Sequence, residues 1–401
     1  MSPSEATIDG VDLERMIGYR KQNVVDAMAR NDLDGILALK FENIRYITGL
    51  RPLWFPYVQL ANAALINRDG DVICFVNGGD FEHRRQTMTW IPEGRMRGMP
   101  RLEDPVLAAK SVPMIADAVR ELGFDSGRIG IDMEYPYVRE QLARHLPQSA
   151  WGDADPPMRS ARLIKNEDEL AIFRSSCEAV DVGLAAAIEA VEPGRRENEV
   201  LGAAANAMYS RGMEIPQCSS IVTSGENLYP FQRYASEREI QTGDLVFIDI
   251  GGCFNGMFAE ATRTVVCDGA SNAQQRSIYA AVAAALEAAL EAMKPGEASG
   301  VAHRAIAAAF VERGYGDHEL ETLVGHGIGV AGIETPMLGP LSLTGEEIEL
   351  EPGMVFSVEP TLIVPGVPGG GGIRIEDEVV ITESGAEAWT RAPLDDNLLG
   401  A

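Results

Sequence analysis

The sequence predicts an α/β protein of two domains: an α/β domain over residues 1–155 and a duplicated α-α-β domain over residues 156–401. Three observations carry this. Short apolar runs alternate with helical periodicity through the N-terminal part, as a layered α/β domain requires. A paired proline in Asp153 to Arg159, DADPPMR, interrupts that periodicity and reads as a linker. Beyond it the element order repeats. Two helices precede a strand-rich region, twice, and Pro193-Gly194 and Pro295-Gly296 part each helix pair.

The N-terminal elements follow in order. Leu13, Ile17, Val24, Ala27 and Met28 fall on one stripe of a helix over Val11 to Asn31, which Asn31 can stop. Gly35 to Leu39, Ala63 to Ile66 and Val72 to Val76 read as strands, a helix follows near Val106 to Leu122, and Ile129 to Met133 is a further strand. Phe41 to Tyr57, FENIRYITGLRPLWFPY, reads as an aromatic loop beside Arg51. Trp54, Phe55 and Tyr57 there either cap the domain core or take part in binding.

In the second domain Asn166 is the expected N-cap of a long helix with acids in its first turn, running towards Pro193. Helices are expected at about 167–191, 196–211, 272–293 and 298–313. The first strand region holds IDIGGCFNGMFAEATRT, Ile248 to Thr264. An apolar strand delivers Asp249, glycines at 251, 252 and 256 permit a tight reversal, and a second strand returns Glu260 eleven residues later. Two carboxylates that close repel unless they share a proton or hold a cation. The hairpin alone fits either solution.

Three later segments add donors. LVGHGIG, Leu323 to Gly329, sets His326 between glycines; EPGMVFSVEP delivers Glu359; IRIEDEVV puts Glu376 on a further strand. One imidazole and four carboxylates suit Mn, Fe, Co or Zn better than a thiolate site would. Arg374 can anchor a substrate carboxylate or brace Glu359 and Glu376. Gly366 to Gly372, GVPGGGG, lacks the surroundings of a phosphate-binding loop and reads as a flexible pocket lip.

Composition narrows the partners. The chain of 401 residues is 46% hydrophobic and 23% charged, ordinary for a globular protein large enough for two cores. A net charge of −26 argues against nucleic acid or an anionic membrane as partner. The five cysteines are scattered without a CxxC pair and read as buried thiols of a reducing compartment. The N-terminus is too polar for a signal peptide, and the Ala-rich run near Ala281 to Met293 carries Glu287 and Glu291, so no membrane span is expected. These point to a cytoplasmic protein.

These motifs resemble the prolidase, aminopeptidase P and creatinase family, with its pita-bread fold. The family pattern D-x-G, D-x-T-R, G-H-G-x-G, E-P-G-M-x-x-x-x-E-P and R-x-E-D appears here as Asp249-Ile-Gly, Glu260-Ala-Thr-Arg263, Gly-His326-Gly-Ile-Gly, EPGMVFSVEP ending on Glu359 and Pro360, and Arg374-Ile-Glu376-Asp377. The resemblance implies a creatinase-like N-terminal domain and a pita-bread catalytic domain. It also implies Asp249, Glu260, His326, Glu359 and Glu376 as ligands to one or two divalent transition ions. A homodimer is implied as well, in which the N-terminal loop with Arg51, Trp54 and Tyr57 shapes the partner's substrate pocket.

The sequence departs from the peptidases at three positions. Glu260 replaces the usual Asp, which can turn a two-metal site into a one-metal site. Gln232 and Ile333 stand where peptidases carry histidines, and neither can shuttle a proton. Tyr229 and Tyr234 are alternative donors. The expected function is therefore a metal-dependent hydrolase or lyase acting on a small zwitterionic carboxylate, by C–N hydrolysis or by elimination as in the lyases that act on dimethylsulfoniopropionate. Expected roles are catalytic for Glu359, Gln232, Tyr229 and Arg374, and substrate-binding for Trp54, Tyr57, Arg51 and Ile333. The alternatives are an Xaa-Pro dipeptidase and a metal-free, creatinase-like amidinohydrolase.

Overall fold

The computed structural model describes residues 10–51, 60–217, 220–229, 234–318 and 322–400. The chain divides into two compact units, Met1–Arg162 and Leu163–Ala401. The divide falls after the prolines, because DADPPMR is not a linker: Asp155–Ala161 is a helix with proline in its first turn, where a missing N–H costs nothing. It buries Pro157, Met158 and Ala161.

The first unit holds a mixed six-stranded sheet among the described residues. Its strands are β1 (Gly35–Ala38), β2 (Ala63–Asn67), β3 (Val72–Asn77), β4 (Met96–Met99), β5 (Arg128–Ile131) and β6 (Ala150–Asp153), in the order β4-β3-β2-β1-β5-β6. Helices Leu13–Arg30 and Pro105–Glu121 match the sequence reading, and both carry aspartate N-caps, Asp12 and Asp104. Phe41–Thr48 corrects it: this stretch is a helix, not a loop, with buried Ile44, Tyr46 and Ile47 and a left-handed stop at Gly49. Burial of that apolar face overrides the weak helix propensity of its aromatic and β-branched residues. Trp54, Phe55 and Tyr57 lie outside the described residues.

The second unit repeats a helix pair and a sheet. Glu167–Glu189 opens on a capping box between Asn166 and Glu169 and is followed by Glu197–Ser210; Ala273–Ala292 and Val301–Glu312 form the second pair. The first pair precedes β7 (Met213–Pro216), β8 (Ile221–Ser224), β9 (Leu245–Phe254) and β10 (Met257–Val266), in which β9 lies between β10 and the other two strands. The second precedes β11 (Gly325–Gly327), β12 (Glu334–Leu338), β13 (Val355–Val358), β14 (Thr361–Ile363), β15 (Gly372–Arg374), β16 (Asp377–Thr382) and β17 (Gly385–Ala388). Five of these form a sheet ordered β12-β11-β13-β16-β17, while β14 pairs with β15. Phe247, Ile278, Tyr279, Val282, Phe310, Phe356 and Val379 share one buried core between these layers. Among the described residues no helix is long and apolar enough to cross a membrane.

Candidate metal centre

The hairpin β9–β10 sets the first two donors. Phe254 pairs with Met257, so Asn255 and Gly256 make the whole reversal, both at positive φ. That is the two-residue turn whose twist suits a hairpin. Gly251 and Gly252 lie inside β9, not in the turn. A Cβ on Gly251 would lie 2.5 Å from the Glu260 Cβ, so glycine there permits the strands to close at the site. Asp249 pairs with Thr262 and Gly251 with Glu260. The two carboxylates are therefore diagonal neighbours on one face rather than directly opposed.

The remaining donors come from the other half of the unit. His326 on β11 pairs with Ser357 on β13. Glu359 follows β13, and its N–H donates to the Val324 carbonyl. Glu376 precedes β16 and donates its N–H to the Thr262 carbonyl at 3.1 Å, joining the two halves. Arg263 strengthens that joint: it donates to the Glu376 carbonyl, to the Ala392 carbonyl and to Asp377 Oδ1 at 2.7–2.8 Å.

All five expected donors thus meet in one region, held by a closed set of contacts. Arg374 Nη1 lies 3.0 Å from Asp249 Oδ2 and 2.8 Å from Glu359 Oε2, and its Nε donates to Thr361 Oγ1. Of its two proposed roles the structure supports bracing. Glu260 Oε1 lies 3.2 Å from His326 Nε2, and Ser357 Oγ lies 3.2 Å from Glu260 Oε1 and 3.1 Å from Glu376 Oε1, so its one proton serves either carboxylate in turn. Thr262 Oγ1 donates to Glu376 Oε2. Thr262 and Ser357 were missed in the sequence, although Ser357 is two residues before Glu359 on the same apolar run.

The electrostatics show an excess of buried negative charge. Burial, then Glu260, Asp249 and Glu359, push Glu376 well above the usual carboxylate range against the pull of Arg374. Burial likewise carries Asp249 up to about 7, with Arg374 opposing and Glu260 and Glu359 adding. His326 rises to about 9: burial disfavours its charge, but the Glu260 hydrogen bond and the Glu260 and Glu359 charges outweigh it.

Four carboxylates and one imidazole, enclosed and partly neutralised by a single guanidinium, have the chemistry of a hard-to-borderline divalent cation site. On donor chemistry the residues fit a metal ion. As placed, however, no three His, Cys, Asp or Glu side chains among the described residues form a ready metal cage. The donors are turned instead towards Arg374, His326 and the Ser357 and Thr262 hydroxyls, and would exchange these contacts for an ion.

Ile333 is 52% exposed, just before Glu334. The Glu334 carboxylate accepts from Ala331 N and pairs with buried Lys165 at 3.2 Å, which fixes this loop. Tyr229 is exposed at the end of the turn Gly225–Leu228. Buried Glu197 holds that segment by accepting from Ser224, Asn227 and Ser236. Arg51 belongs to the first unit, and Gln232 lies outside the described residues. The glycine-rich lip is tied down: Leu245 N donates to the Gly369 carbonyl at 2.7 Å, and Asn272 and Gln275 donate to that of Pro368. The carbonyls of Pro368 and Gly369 find partners that composition alone does not reveal.

Comparison with known proteins agrees with this geometry. Metallopeptidase family M24 matches residues 171–383, and the creatinase/prolidase N-terminal domain matches residues 20–164. An Xaa-Pro dipeptidase of Pyrococcus furiosus is 31% identical over 93% of this chain and 97% of its own length. One from Pyrococcus horikoshii is 29% identical over 94% and 98%. The crystal structure of the prolidase from Pyrococcus horikoshii OT3 superposes with a TM-score of 0.77 at 27% identity, covering 94% of this chain and 99% of that one. The elimination reading gains no support from these relatives. A duplicated pita-bread unit with these five donors, matched over more than half of the chain, makes the protein a member of metallopeptidase family M24.

Proposed function

We propose that the protein is a metal-dependent Xaa-Pro dipeptidase. The observation that carries this is the clustering of Asp249, Glu260, His326, Glu359 and Glu376 in a chain that is similar, nearly end to end, to two proteins named Xaa-Pro dipeptidase. This was the alternative in the sequence reading; the relatives favour it over the hydrolase or lyase of a small zwitterionic carboxylate that the sequence pointed to first, and the bond broken is the C–N bond of the peptide.

The five donors would hold one or two divalent ions, which supply Lewis acidity for the scissile carbonyl and acidify a water. The chain's own groups do the rest. Glu359, held at 2.8 Å by Arg374, is the carboxylate that takes the proton of the attacking water. Arg374, within hydrogen-bond reach of Asp249 and Glu359, steadies these two carboxylates. Tyr229 serves as the candidate donor towards the leaving nitrogen, with Gln232 as a neutral hydrogen-bonding group. Support for a homodimer and for a cytoplasmic location comes from family resemblance and composition.

The test is a side-by-side assay of protein loaded with Mn, Fe, Co or Zn. Xaa-Pro dipeptides should turn over with kcat/KM of about 10⁴ M⁻¹s⁻¹ or above. Faster turnover of sulfonium or amidine carboxylates would reject the reading.

A further inference from the structure

Glu378 is a fully buried carboxyl to which the site motifs assign no role. It lies on β16 opposite Ser357 on β13, and Ser357 in turn lies opposite His326 on β11. Directly paired residues of antiparallel strands present their side chains on the same face. His326, Ser357 and Glu378 therefore form one row across the sheet.

Glu260 reaches that row from the other half of the unit at three points. Its Oε1 meets His326 Nε2 at 3.2 Å and Ser357 Oγ at 3.2 Å, and its backbone N–H donates to Glu378 Oε1 at 2.7 Å. The third contact has a structural reason. β10 is the edge strand of its sheet, so the outward N–H of Glu260 has no ladder partner. Glu378 supplies one, and so joins the two sheets at a metal-ligand residue. Its other oxygen, Oε2, is buried without a hydrogen-bond partner. Burying an unpaired carboxyl oxygen is costly, so a purely structural joint would be better served by a smaller hydroxyl. A hydroxyl on β16 would be shorter than the glutamate that here reaches the β10 backbone.

We propose that Glu378 is a positioning residue for the metal centre, fixing the Glu260 backbone so that the longer Glu260 side chain is held within reach of the other donors. The inference rests on the metal-binding part of the reading above. It is distinct from ligation: Glu378 acts through the backbone N–H of Glu260. Residues that orient ligands typically set metal affinity within 10- to 100-fold.

Titration calorimetry with Mn or Co on the full chain stripped of metal tests it, with no dependence on turnover. Glu378→Leu, which removes the acceptor, should weaken binding about tenfold or more. Glu378→Asp, one methylene shorter, should weaken it similarly, whereas Glu378→Gln, which keeps an accepting oxygen at the same reach, should bind within about threefold of wild type. In a Glu260→Ala background Glu378→Leu should cause no further loss, because its effect runs through Glu260. Undiminished affinity in Glu378→Leu and Glu378→Asp overturns the proposal, as does a loss in Glu378→Gln equal to that in Glu378→Leu, or a loss that persists without the Glu260 side chain. If Glu378→Leu does not fold, the Asp and Gln variants still decide. Absence of metal binding by the wild type would reject the metal-centre reading itself, a different result from wild-type binding that Glu378 leaves unchanged.

Discussion

Nε2 of His326 lies 3.2 Å from Oε1 of Glu260, so two expected metal ligands bond each other. A metal ion would have to displace this contact, which therefore competes with binding.

Glu260→Asp should withdraw the carboxylate from His326 and relieve that competition. Mn affinity should rise by a few-fold or more in calorimetry, while Glu260→Ala, which removes a donor outright, should lower it by at least about tenfold. Equal weakening by both substitutions would show that Glu260 reaches the ion better than aspartate does.

Lys165 and Glu334 form an ion pair with both side chains at 4% exposure or less. Removing one partner of such a pair leaves a buried charge uncompensated, at a cost of about 3–5 kcal/mol. Lys165→Met should lower stability by that order in urea unfolding, and adding Glu334→Gln should recover part of it. A loss under about 1 kcal/mol would mean that water reaches Glu334 once the lysine is gone.

The site was legible in the sequence to the extent that each donor sits in its own short motif. Asp249, Glu260, His326, Glu359 and Glu376 stood out as donors by type and spacing and were read as metal ligands through the family resemblance, and the four helices of the second unit came from capping and periodicity. What was not legible depends on distant partners. Glu378 reads as one more acid in IRIEDEVV until the pairing of β13 with β16 puts it in line with His326. Gly251 and Gly252 read as turn residues until register shows that they let a neighbouring strand approach. Phe41–Thr48 read as a loop because its aromatics lack a clear period; tertiary burial made it a helix.

Asp132 in the first unit should give stability a pH dependence of known sign. Burial pushes its carboxyl up to about 7, although Asn43, Leu39 and Lys40 donate to it. Because the folded value lies above the unfolded one, the contribution is fully present below about pH 4 and is lost as pH rises through about 7. The ceiling on that loss is roughly 4 kcal/mol. The stability difference between wild type and Asp132→Asn, measured by denaturant unfolding at pH 4 to 8, should move in favour of the variant as pH rises. A difference independent of pH would show that Asp132 is ionised throughout.

Ile333 offers a direct test of the peptidase chemistry. It sits on a loop fixed by Glu334 and Lys165, is 52% exposed, and stands where the resembled peptidases carry histidine. An exposed site tolerates substitution, so Ile333→His should change stability by no more than about 0.5 kcal/mol. Imidazole can donate and accept a proton at neutral pH, and isoleucine can do neither. General acid–base groups contribute about 10²–10⁴-fold. If the wild-type site cleaves Xaa-Pro bonds without that help, Ile333→His should raise kcat/KM on these dipeptides by at least about tenfold. The rate profile should also gain a limb near the ordinary histidine pKa of about 6.5. An unchanged rate with the variant folded and metal-loaded would mean that residue 333 does not face the leaving nitrogen. The proton would then come from another group, with Tyr229 the next to replace.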